Sequence, residues 1–162
     1  MLWMFFQDAL FSAIAAIGFA AVSRPARRAY IFCALLAAIG HSARFLLIDA
    51  SGPLAMNIIP ASFIAAVIVG SLAVFLSPLA KMPAETFLFP ALLPMIPGVY
   101  ACKSFGGLVM CILRTGEEGA FGHYFYLFAY NGLVCTFIIL GMVIGATVPI
   151  FLFKKISFQA TR

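Results

Sequence analysis

Charge is what this sequence has least of. Asp, Glu, Lys and Arg make up 9% of its 162 residues, where a soluble domain carries about a quarter. With 65% hydrophobic residues and a mean hydropathy of +1.14, a fold in water would have more apolar side chain than interior to hold it. Acids are scarcer than bases, five against ten, for a net charge of +5. In a soluble chain that excess suggests nucleic acid. Here the basic residues sit mostly in short gaps between apolar runs, so they read as topology determinants, and no nucleic-acid partner is expected. Cys33, Cys102, Cys111 and Cys135 lie within apolar runs and form no CxxC pair. A zinc site or a disulfide framework lacks its spacing, and they read as small buried apolar side chains. No metal motif occurs, and no span carries a nucleophile and a base at helical spacing, so neither an enzyme nor a cofactor is expected. The first residues have no basic n-region, carry Asp8 and run straight into SRPARR, which fits a retained first span better than a signal peptide.

What is present is apolar sequence in lengths suited to a bilayer, where a helix needs about 20 residues to cross. Five runs qualify: about Leu2–Val22, Ala29–Ile48, Leu54–Leu76, Phe87–Leu113 and Ala120–Phe153. Ser23-Arg24-Pro25 ends the first, Asp49 to Pro53 the second, and Ser77-Pro78 the third. The last is too long for one straight crossing and should tilt, project or bend near Pro149. The expected fold is all-α, a polytopic membrane helix bundle of about five spans forming a single transmembrane domain over residues 1–162. Arg24, Arg27, Arg28, Lys81, Lys154, Lys155 and Arg162 fall on one side of a five-span chain. That bias predicts the N-terminus outside and the C-terminus in the cytoplasm. Small residues four apart recur as Ser12/Ala16/Ala20, Ser62/Ala66/Gly70 and Gly141/Gly145, stripes that let helix backbones approach in lipid. So many small faces predict a hetero- or homo-oligomer.

An ionisable group at the centre of a span costs about 2.5–3.5 kcal/mol, so each needs a reason. Asp8, His41 and Arg44 all fall within roughly 10 Å of the outer boundary at 1.5 Å per residue. They read either as an ion pair of Asp8 with Arg44 or as a proton relay through His41. Lys103 lies eleven residues before Arg114, about 16 Å deep on a continuous helix. Asn131 reaches a similar depth from the other side, eleven residues after Ala120. Lys103, Gly107, Met110 and Arg114 share one helical face. A cation and an amide at one depth suit a small anion or carboxylate; the alternative is that Lys103 snorkels or pairs with an acid of another subunit.

The fourth run contains FPALLPMIPG, residues 89–98. Pro90, Pro94 and Pro97 each remove an N–H donor and strike the carbonyl four residues back. The segment should therefore be two half-helices, with Gly98 supplying the backbone freedom for the restart. Non-helical backbone at membrane depth survives only where protein buries it or water reaches it, and broken helices mark the binding sites of secondary transporters. The substrate-binding residues expected on these grounds are Pro94, Pro97, Gly98, Lys103 and Asn131.

At PALLPMIPGVYACKSF, together with CALLAAIGHSARFLL, the Val69-Gly70 pair, Asn131 and Pro149 before a basic tail, the chain resembles the threonine/serine exporter (ThrE) family. Within that family it is similar to the small YjjB-type half. The resemblance implies a subunit of a bacterial inner-membrane secondary exporter that pairs with a larger YjjP-type membrane subunit. Its cargo would be threonine and serine, or dicarboxylates such as succinate, moved by alternating access at the expense of the proton gradient. The competing expectation is a non-transporting scaffold for a larger membrane partner.

Overall fold

The computed structural model describes residues 2–49, 55–114, 116, 118–153 and 156. The turn at Gly52-Pro53, Glu117 and the basic tail of Lys154, Lys155 and Arg162 lie outside the described residues. The elements are α1 (Leu2–Ser23), α2 (Ala29–Ile48), α3 (Ile58–Ala80), α4 (Glu85–Leu92), a 3-10 turn (Leu93–Met95), α5 (Gly98–Leu113) and α6 (Glu118–Leu152). There is no strand among the described residues. Helices α1, α2, α3 and α6 are long and apolar enough to cross a membrane, and α4 with α5 qualifies as a fifth, broken span. The all-α bundle is what the structure contains, and α4 with α5, interrupted at the prolines, is a candidate for the fourth of five spans.

Two helix ends differ from expectation. Ser77-Pro78 does not stop α3, which continues to Ala80. A proline in the last turn leaves only one carbonyl without its helical donor, and the end is closed instead at Lys81. That residue takes a left-handed conformation (φ 53°), while the Met82 N–H reaches the Ser77 carbonyl at 3.3 Å, a Schellman closure without glycine. At the other end, Asn57 caps α3 by accepting the Ile59 N–H at 3.2 Å, so the helix starts at Ile58; the expected start at Leu54 lies outside the described residues. Pro149 lies inside α6, which runs on to Leu152.

The chain divides into two compact units, residues 1–95 with 141–162, and residues 96–140. In the first, α2 packs against α1, α3 and α4. Its core is built from Cys33, Leu36 and Ala37 of α2, Ala65, Val69 and Ala73 of α3, and Phe87 of α4, all fully buried. The small-residue stripes bring backbones together here. Ser12, Ala16 and Ala20 are buried, and the Ser12 hydroxyl donates to the Ala37 carbonyl of α2 at 3.4 Å. A Cβ on Gly70 would lie 2.6 Å from the Ala146 carbonyl oxygen. One on Gly145 would lie 2.7 Å from that of Phe63. Glycine is therefore required where α3 meets the end of α6. In the second unit α5 lies against the first part of α6. A Cβ on Gly107 would come within 2.7 Å of the Phe128 nitrogen, and the buried Ser104 hydroxyl donates to the Phe128 carbonyl at 2.9 Å.

Candidate functional site

In the first unit, α1 and α2 run side by side and bring three polar side chains to one place. His41 Nδ1 lies 2.8 Å from Asp8 Oδ2. Arg44, one turn further along α2, places Nη2 3.1 Å from His41 Nε2. The expected pairing of Asp8 with Arg44 is thus mediated: the imidazole stands between the carboxylate and the guanidinium. Arg44 Nη1 also donates to the Met95 carbonyl at 2.7 Å, and His41 Nε2 lies 3.2 Å from the Pro94 carbonyl. A cavity of about 250 Å³ opens beside them, lined by Asp8, His41, Arg44, Phe45, Ile48, Asp49 and Ile58.

The break explains why those two carbonyls take side-chain partners. In a continuous helix the Pro94 carbonyl would accept from residue 98, or from residue 97 in a tighter turn. Pro97 has no N–H, and the Gly98 N–H turns back to the Ile96 carbonyl at 2.8 Å. With φ −78° and ψ 64° at Pro97, this is an inverse γ-turn. The interruption is therefore centred on Pro97. Gly98 has no positive φ, and a Cβ there would meet nothing within 4 Å, so the expectation that Gly98 supplies special backbone freedom is corrected. Pro90 sits buried within α4 without ending it. Helix α5 then starts with the Tyr100 and Ala101 N–H groups on the Pro97 carbonyl, at 3.1 and 3.2 Å.

In the second unit, Lys103 and Asn131 line one cavity of about 610 Å³. Gly106, Gly107 and Met110 complete the α5 wall, and Tyr124, Tyr126, Leu127 and Tyr130 the α6 wall. Of the predicted face of Lys103, Gly107, Met110 and Arg114, the first three form this wall and Arg114 does not line it. Gly107 makes the groove possible by letting α5 approach α6 at backbone distance. Lys103 is exposed and makes no hydrogen bond or ion pair among the described residues. Asn131 is 4% exposed. Its amide nitrogen donates to the Leu127 carbonyl at 2.7 Å, an assignment fixed by chemistry because a carbonyl only accepts. Its Oδ1 keeps acceptor capacity without a protein partner among the described residues. Pro97 and Gly98 form the start of α5 in the same unit and are not among the cavity's lining residues; Pro94 belongs with the His41 cluster. The three tyrosines were not anticipated. The i, i+4 spacing of Tyr126 and Tyr130, whose rings stack 5.7 Å apart, is the signal that could have placed those two on one face; Tyr124 carries no such signal.

Comparison with known proteins adds the following. The family model described as "Threonine/Serine exporter, ThrE" matches residues 8–152. A protein of Haemophilus influenzae described only as uncharacterized is 36% identical over 141 residues, covering 87% of this chain and 43% of the relative. The chain thus spans less than half the length of that relative. No solved structure matches it.

Proposed function

The chain belongs to the threonine/serine exporter family, and from that premise we propose that it is the small membrane subunit of a secondary exporter for carboxylate-bearing metabolites. The observation that carries this reading is the groove of α5 and α6. It holds Lys103, a cation with no hydrogen-bond or ion-pair partner among the described residues, in one cavity lining with Asn131, whose amide oxygen keeps acceptor capacity. A lone ammonium suits one cargo carboxylate. An acceptor oxygen next to it suits an ammonium or hydroxyl hydrogen of the same molecule, which favours threonine and serine over a dicarboxylate such as succinate. Pro94, Pro97 and Gly98 would act as the gating break rather than as contacts, by which the span changes shape during alternating access.

The partner in this proposal is a larger YjjP-type membrane subunit. More than half the length of the Haemophilus relative lies outside the matched region, which supports a further element working beside this one. The site of action would be the inner membrane of a bacterium, with the N-terminus outside and the C-terminus in the cytoplasm, as the basic residues of the α1–α2 connection favour.

Proteoliposomes holding this chain with its larger partner should release labelled threonine or serine down an imposed gradient, and Lys103→Ala should lower that flux about tenfold or more. If Lys103→Ala and Lys103→Glu both carry wild-type flux, the groove is not the cargo site. The scaffold alternative predicts instead that substitutions in α5 alter co-purification of the partner and leave cargo preference unchanged.

A further inference from the structure

His41 has more partners than one protonation state can serve. Its Nδ1 lies 2.8 Å from the Asp8 carboxylate, an acceptor, so Nδ1 carries a hydrogen in either state. Its Nε2 lies 3.1 Å from Arg44 Nη2, which only donates, and 3.2 Å from the Pro94 carbonyl, which only accepts. A neutral ring offers a lone pair at Nε2 and can take the Arg44 bond; the Pro94 carbonyl then goes without it. A protonated ring offers Nε2–H and can hold Pro94; the Arg44 N–H then faces another N–H, and two cations meet at contact distance. The two arrangements exclude each other.

What they compete for is the broken span. The Pro94 carbonyl has lost its helical donors to Pro97 and to the γ-turn, and the Met95 carbonyl next to it is held by the other arm of the same guanidinium, Nη1 at 2.7 Å. We propose that His41 is a proton-binding site that latches the break: neutral, it ties Arg44 in place; protonated, it grips the Pro94 carbonyl and releases Arg44 Nη2. The proton enters through the 250 Å³ cavity that Asp8, His41 and Arg44 line and leaves by the same way, with no covalent change. Among the described residues the ionisable groups facing the ring are few. Helix α1 presents Asp8, and α2 itself presents Arg44 and, at its end, Asp49. Helix α3 contains no ionisable side chain, and the carboxylate of α4, Glu85, stands at the end of that helix remote from the break.

The latch becomes useful if the break moves during transport, and to that extent it rests on the proposed function; its test does not. In lipid nanodiscs, with ring nitrogens of both histidines labelled and His123→Gln used for assignment, nitrogen NMR reads the His41 tautomer directly on the otherwise wild-type chain. The neutral ring should carry its proton on Nδ1. Lowering the pH should protonate Nε2. Hydrogen exchange at the amides of residues 98–101, corrected for intrinsic rates, should change with it by about tenfold, the scale of one charge-assisted bond. His41→Gln should flatten that change. A neutral proton on Nε2, or exchange at the break that ignores His41 protonation, or an identical profile in His41→Gln, overturns the latch. Flux indifferent to His41→Gln while the NMR and exchange behaviour holds counts against the transport reading alone.

Discussion

In the unit built from residues 1–95 and 141–162, Asp8, His41 and Arg44 lie within hydrogen-bonding distance of one another and of two backbone carbonyls. In the unit built from residues 96–140, Lys103 and Asn131 keep hydrogen-bonding capacity open beside a cavity. Both sets are polar groups on apolar helices, where each needs a reason. The first set finds its partners within the fold. In the second the Asn131 amide nitrogen is paired with the Leu127 carbonyl, while Lys103 has no partner among the described residues. A saturated cluster reads as structure and control, an unsaturated one as a binding site, and the two should respond differently to substitution.

The largest loss of stability should come from the saturated side. Arg44→Met keeps the stem but leaves the Met95 carbonyl without its donor, and should cost about 3 kcal/mol, the upper end for a stranded buried group. Thermal unfolding in detergent measures it. Next comes Gly107→Ala, where the new Cβ meets backbone at 2.7 Å (Phe128 N) and 2.9 Å (Tyr124 O). Backbone cannot give way as a side-chain tip can, so we expect about 2 kcal/mol lost, with flux falling because the groove opens. Lys103→Ala should barely register in the melting curve, below about 0.5 kcal/mol for an exposed side chain without a partner among the described residues, while flux collapses. A loss of stability at Lys103 as large as that at Arg44 would erase the contrast. The smallest effect belongs to Gly98→Ala. With an ordinary φ and room for a Cβ, it should stabilise by about 0.5 kcal/mol through the unfolded chain; a marked loss would restore the glycine requirement that the structure removes.

Much of this contrast was legible from spacing alone. Lys103, Gly107 and Met110 recur at helical intervals, so their common wall follows from periodicity alone, although Arg114 of the same register does not line it. The break was legible too, because three prolines cannot be absorbed by one helix. Its centre was not. Proline and glycine both punctuate a helix, and only the Gly98 N–H bond to Ile96 assigns the turn to Pro97. Pro78 shows the same limit from the other side: it costs little in a final turn that Lys81 closes. Nor could depth along two helices distinguish a direct Asp8–Arg44 pair from one bridged by His41, since all three lie within a turn or so of one level. The carbonyls of Pro94 and Met95 were invisible in the sequence, because every residue has one and only the break frees these two.

The central claim is that Lys103 meets its cargo through charge, and a charge-rescue experiment tests it most directly. In a background with the four native cysteines replaced, Lys103→Cys is reconstituted with the proposed larger partner and assayed for threonine flux. It is then treated with an aminoethyl methanethiosulfonate, which rebuilds an ammonium at that position, or with the neutral methyl reagent. The account predicts little flux before treatment, recovery with the ammonium and none with the methyl. Full flux in untreated Lys103→Cys, or equal recovery with both reagents, would contradict it.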